Sequence, residues 1–183
     1  MKSFFLFIWD VSKILIIALI IVIPIRYFLF QPFFVKGESM EPNFYNYDYL
    51  IVDEISYQFR DPKRGEIIVF KYPHDTSQRY IKRIIGLPGE TIEIKDNCIT
   101  IESKGILTTL DESAYLESSI NTKGDIKIVL PEEKYFVLGD NRRFSYDSRQ
   151  WGLLPKENII GKVLFRAYPL SALVRFTTPS YQN

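Results

Sequence analysis

The chain has one cysteine, one histidine and a formal net charge of only +1 in 183 residues. Cys98 alone cannot close an intrachain disulfide, and with His74 as the only histidine there is no Cys/His cluster at metal-ligand spacing. No metal is therefore expected. The near-neutral balance excludes a generally basic protein held on nucleic acid by counterion release, because that footprint needs clustered lysine and arginine. Beyond residue 35 there is no long stretch of sustained helical periodicity. Cysteine usage leaves the cellular compartment open.

What is present is distributed unevenly. Hydrophobic residues make up 46% of the chain, yet residues 1–35 carry only four charges, Lys2, Asp10, Lys13 and Arg26. Ile14 to Ile25 is unbroken by any charge, and Tyr27 to Phe30 extend the run past Arg26. From Val11 to Phe30 this gives roughly 17 to 20 residues, enough to cross about 30 Å of hydrocarbon as a helix. Arg26 can snorkel from near one end, and Pro24 is tolerated there. A cleaved secretory signal competes with this reading, but Gln31-Pro32-Phe33-Phe34-Val35 is bulky where a cleavage site needs small residues. We therefore expect a short N-terminal segment (1–10), one transmembrane anchor (11–30) and a globular domain (31–183). Charge does not set the orientation, since Lys2 and Lys13 on one side face Arg26 and Lys36 on the other.

The globular part reads as mostly β. Short apolar runs rich in Ile, Val, Tyr and Phe fall at 49–52, 66–72, 80–85, 91–94, 98–101, 126–130, 135–138 and 162–167, separated by turn signals. Residues 108–119 suggest a short helix or an irregular loop.

Three segments carry candidate chemistry. Gly37-Glu38-Ser39-Met40-Glu41-Pro42 sets a serine on an irregular turn, where a hydroxyl can be exposed and backbone amides can face a substrate oxygen. The bland reading of Ser39 is a loop serine without chemistry. In Tyr80-Ile81-Lys82-Arg83-Ile84-Ile85, strand alternation puts one cation on each face among apolar neighbours. A lysine so placed loses hydration and can become a neutral base; the plain alternative is that both cations reach solvent at a sheet edge. Third, Tyr135 to Leu138 leads into a dense polar loop, 139–149, in which Asp147 and Arg149 can pair and Ser145 or Ser148 can present a hydroxyl.

Taken in order, these segments resemble the type I signal peptidase family, membrane-anchored serine proteases that remove signal peptides from exported proteins. Residues 37–42, 64–70, 80–90 and 139–149 carry the likeness, and the single anchor and brief 102–130 stretch are similar to the compact Gram-positive form. The resemblance implies an antiparallel β-sheet catalytic domain, extracytoplasmic and held by one N-terminal transmembrane helix in the cell membrane, with 102–130 a variable insert. It implies Ser39 as nucleophile and Lys82 as general base, without a cofactor. Ser145 would hydrogen-bond and orient the lysine, and Asp147 and Arg149 would pair to support the loop. Phe33, Val35, Met40, Phe44, Tyr80 and Ile81 would line shallow pockets that accept small residues, typically alanine, before the cut. The implied partners are signal peptides and the lipid bilayer. Two departures from the family pattern stand out: Gly37, where some members have a serine, and Arg143-Phe144, where Asp-Asn often follows.

Other readings are a sortase-like Cys98–His74 transpeptidase, a self-cleaving repressor protease, and a non-enzymatic tethered β module that binds through its aromatics. Cys98 lacks the threonine that precedes the sortase cysteine, an anchor stands where repressors have a DNA-binding domain, and a binding module has no need for a cation on an apolar strand face.

Overall fold

The computed structural model describes residues 2–24, 30–117, 119–179 and 181. Helix α1 spans Lys2–Pro24, 23 residues, and its side chains Phe7, Trp9, Ile14, Leu15 and Ile20 are exposed. Among the described residues no helix is long and apolar enough to cross a membrane. The expected anchor also runs through residues 25–29, which lie outside the described residues.

The rest is built from antiparallel strands in two sheets. The first contains β1 (Phe30–Phe34), β2 (Tyr49–Asp53), β3 (Ile67–Tyr72) and β4 (Asp75–Gly86). It also holds β9 (Lys134–Leu138), β10 (Leu154–Pro155), β11 (Ile159–Tyr168) and β12 (Val174–Arg175). Its order is β1-β2-β11-β3-β4-β9-β10, with β12 paired to β11. The second contains β5 (Thr91–Lys95), β6 (Cys98–Ser103), β7 (Ile106–Thr109) and β8 (Ile126–Val129), in the order β7-β6-β5-β8. Two one-turn helices, α2 (Ser56–Phe59) and α3 (Ser148–Trp151), punctuate the connections.

Each of the eight apolar runs becomes a strand. The strand β1 was not expected, because its residues continue the apolar segment. It forms by pairing with β2, Phe33 opposite Leu50, and its position at the sheet edge accommodates Pro32, which lacks a donor for a second neighbour. Among the described residues of 108–119, β7 ends at Thr109 and turns follow, without a helix.

Three apolar clusters hold the sheets. One joins Val35, Met40, Phe44, Leu50, Val52, Ile67, Val69 and Val163 beneath the 36–48 loop. Another joins the small sheet to the large one through Ile85, Ile92, Ile94, Ile99, Ile101, Leu130, Phe136 and Leu138. The third packs Ile68, Phe70, Ile84, Tyr135 and Val137 against Trp151 and Leu154. With each fully buried side chain of this size stabilising by about 1.5–3 kcal/mol, the strand registers are fixed by burial, and so is the direction in which Lys82 and Arg83 must point.

Candidate active site

Ser39 lies in the loop between β1 and β2. Met40 and Phe44 are buried in the core below it, Phe44 stacked on Phe176 with ring centroids 4.4 Å apart. Gly37 adopts φ +92°, a backbone conformation that favours glycine, and its N–H donates to Asn46 Oδ1 at 3.1 Å. From the opposite side Asn141 grips the loop: its backbone N–H donates to the Ser39 carbonyl and its side chain to the Glu38 carbonyl, both at 3.0 Å.

Lys82 projects from β4, opposite Ile68 of β3, at the point where β9 has just ended its pairing with β4. Its Nζ donates to Ser39 Oγ at 2.7 Å and to the Ile81 carbonyl at 2.9 Å. The side chain is buried, and loss of hydration lowers its pKa from 10.5 to about 8, against the opposing pull of the Asp147 and Asp140 carboxylates. The next residue, Arg83, turns to the other face. It binds Asp140 through both Nε (2.8 Å) and Nη2 (2.6 Å), and its guanidinium lies 3.8 Å from the centre of the Tyr115 ring. Neither cation reaches solvent, since both residues are 3% exposed; the plain alternative is excluded by packing on both faces of β4.

The 139–149 loop closes the site. Asp147 pairs with Arg149 at 2.8 Å, accepts the Gly139 N–H at 3.1 Å and caps α3, with Gln150 returning a bond to the Asp147 backbone. Ser145 packs beside Ser39: a Cβ on Gly139 would collide with both the Ser145 hydroxyl and the Ser39 carbonyl oxygen. The expected bond from Lys82 to Ser145 is absent. Nζ is committed to Ser39 and Ile81, and Ser145 Oγ, buried, has no hydrogen-bond partner among the described residues.

A cleft of about 720 Å³ opens onto Ser39 and Lys82. Phe33, Val35, Tyr80 and Ile81 line it, together with Leu50, Val69, Phe144 and Tyr146. Met40 and Phe44 do not: they are 1% and 0% exposed and support the wall from behind. His74 bonds the Trp151 carbonyl and packs on Tyr72, Cys98 is exposed on the small sheet, and neither lines the cleft.

A family model described as "Signal peptidase, peptidase S26" matches residues 8–168. The chain belongs to this family. It is 40% identical over 170 residues to Signal peptidase I P of Bacillus subtilis subsp. natto, covering 90% of this chain and 91% of that protein. It is 37% identical over 169 residues to Probable signal peptidase I-2 of Synechocystis sp., covering 88% and 73% respectively. A signal peptidase I crystal structure from Enterococcus faecalis V583 matches at 36% identity, with a TM-score of 0.46 over 56% of this chain and 97% of that one. This signal peptidase family member is thus a serine endopeptidase, a hydrolase with a mostly antiparallel β fold.

Three parts of this candidate site are not signalled by the sequence alone. Asn141 and Asp140 stand in the polar block already singled out, but only the fold shows that they hold the Ser39 loop and Arg83. Leu50 and Val69 are signalled by alternation along β2 and β3. The insert contributes Glu112, Tyr115 and Thr122, which bond Arg142, Asn43 and Arg142 respectively.

Proposed function

We propose that the protein removes signal peptides from exported preproteins, cutting after an Ala-x-Ala sequence through an acyl-enzyme formed by a Ser39–Lys82 dyad. The observation that carries this reading is the 2.7 Å approach of Lys82 Nζ to Ser39 Oγ, with the lysine desolvated and its pKa lowered to about 8. Near that pH a large share of the lysine is neutral. A neutral amine takes the hydroxyl proton as Ser39 attacks the scissile carbonyl, then returns it to the departing nitrogen. Water, deprotonated by the same amine, releases the acyl group. The Ser39 backbone N–H has no hydrogen-bond partner among the described residues and is free to donate to the developing oxyanion. Ser145, buried and unpaired, would accept a further N–H of the lysine once it is protonated and so orient it. The Asp147–Arg149 pair fixes that loop.

Preference for small residues is supported by the walls. Phe33, Val35, Leu50, Val69 and Ile81 line the cleft with bulky apolar side chains. The exposed apolar side chains of α1 support a single-pass anchor over 11–30 that seats an extracytoplasmic catalytic domain at the bilayer surface.

The test is cleavage of a preprotein by the purified full chain. Ser39→Ala and Lys82→Ala are expected each to abolish cleavage with the fold intact, whereas His74→Ala and Cys98→Ala retain it. Full activity in either of the first two variants overturns the dyad; loss in both of the second pair would favour the cysteine transpeptidase.

A further inference from the structure

Arg79, on β4 ahead of Lys82, lines the cleft, and its guanidinium carbon lies 5.5 Å from the centre of the Phe33 ring. The residue is exposed. Arg60, Arg64, Arg83, Arg142, Arg149 and Arg166 each hold a carboxylate, whereas Arg79 makes no ion pair and no hydrogen bond among the described residues. Burial raises the pKa of the Glu54 carboxyl, and the Arg79 charge opposes that rise. We propose that Arg79 selects signal peptides that carry a carboxylate at the fourth or fifth position before the cleaved bond. This deepens the signal-peptide reading and rests on it.

The position follows from the strand. Ser39 Oγ and Lys82 mark the cleaved bond, and the pockets for residues before it are expected at Tyr80, Ile81, Phe33 and Val35, so the upstream chain runs from Lys82 back toward Arg79. β9 pairs with β4 only from Arg83 to Gly86, which leaves the 79–82 edge open to an extended chain among the described residues. Both chains rise ~3.3 Å per residue, so a substrate whose first position before the cut sits beside Lys82 has its fourth beside Arg79, about 10 Å away. The long, unbranched arginine stem extends that reach to the fifth.

Charge favours the same occupant. The cations Lys36, Arg79 and Lys82 line the cleft against a single carboxylate, Glu38, so its field attracts an anionic group. The Phe33 ring holds the guanidinium by a cation–π contact, and an incoming carboxylate meets an arginine already in place, with its planar fork of donors uncommitted.

The experiment uses the full-length protein and peptides identical from Ala-x-Ala onward, with Asp, Asn or Lys at the fourth or the fifth position before the cut. At low salt, wild type is expected to favour Asp over Lys by about fivefold in kcat/KM, the worth of one exposed ion pair, with Asn between. That preference should fall toward unity in about 0.5 M salt, where exposed charges are screened. Arg79→Gln should flatten the series, Arg79→Glu should invert it and Arg79→Lys should keep most of it, while rejection of Leu in place of either alanine should be the same in all four proteins. A wild type indifferent to the charge, an Arg79→Glu variant that still prefers Asp, or a preference unmoved by salt would each overturn the proposal while leaving cleavage after Ala-x-Ala intact. No cleavage of any of the peptides, or a Ser39→Ala control that still cleaves, would instead overturn the reading beneath it and the proposal with it, so the two failures are told apart.

Discussion

Arg142 places Nη1 2.6 Å from one oxygen of Glu112 and Nη2 2.5 Å from the other, with its side chain fully enclosed. The same guanidinium donates to the Gly139 carbonyl at 3.0 Å and to Thr122. The insert is thereby tied to the backbone that carries Ser145. Removing one partner leaves an enclosed, uncompensated charge, so Glu112→Ala should destabilise the domain by about 3–5 kcal/mol. Replacing both, Glu112→Leu with Arg142→Met, should recover most of that loss because no buried charge remains. Urea unfolding of the single and double variants checks this; equal stabilities for the single variant and wild type would show the pair to be inert.

Gly139 is the position where the smallest change should do most harm to catalysis. A methyl group there meets the Ser39 carbonyl and the Ser145 hydroxyl together, and Ser39 cannot yield without moving its own Oγ away from Lys82. Gly139→Ala should lower kcat by at least about 100-fold, as expected for a displacement of roughly 1 Å in a positioned nucleophile. Circular dichroism should show the β fold retained. A variant with near-normal kcat would mean that the loop shifts without carrying the nucleophile with it.

Eight strands were legible because their burial alternates or is continuous, and both patterns leave a hydrophobic signature. The other four were not: Ile106–Thr109 is exposed at every position, β1 is hidden within the apolar segment and defined only by its non-local pairing with β2, and β10 and β12 are two residues each. The site was legible as residue types in order, not as a geometry. Alternation along β4 set Lys82 and Arg83 on opposite faces, but whether a lysine snorkels or stays buried depends on the Ser39 loop, 43 residues away in sequence, and the 139–149 loop closing over it. Met40 and Phe44 show the same limit, since adjacency to Ser39 does not reveal whether a side chain faces the cleft or the core.

The lysine's lowered pKa fixes the pH dependence of cleavage. In the proposed dyad the active form is the neutral amine, whose fraction falls tenfold for each pH unit below about 8 and levels off above it. A plot of log kcat/KM against pH should rise with unit slope to a plateau near that value, using a substrate without titrating groups in the range. A profile flat from pH 6 to 9 would exclude Lys82 as the base.

Stability should follow the same group with the sign set by linkage. Folding lowers the pKa of Lys82 from 10.5 to about 8, so between these values the unfolded chain binds the extra proton and stability rises with pH. Below about 8 both states are protonated and the full cost of enclosing an ammonium is present, ~3 kcal/mol for a difference of this size. Lys82→Met removes that cost while keeping the volume of the stem, at the loss of the bond to Ser39. The variant should therefore be inactive yet more stable than wild type by about 1–3 kcal/mol at pH 7. The gap should shrink as pH rises from 8 toward 10.5, because the wild-type lysine then folds already neutral. Denaturant midpoints for the two proteins across that range test the sign directly, and a methionine variant less stable than wild type at pH 7 would mean that the bond to Ser39 outweighs desolvation.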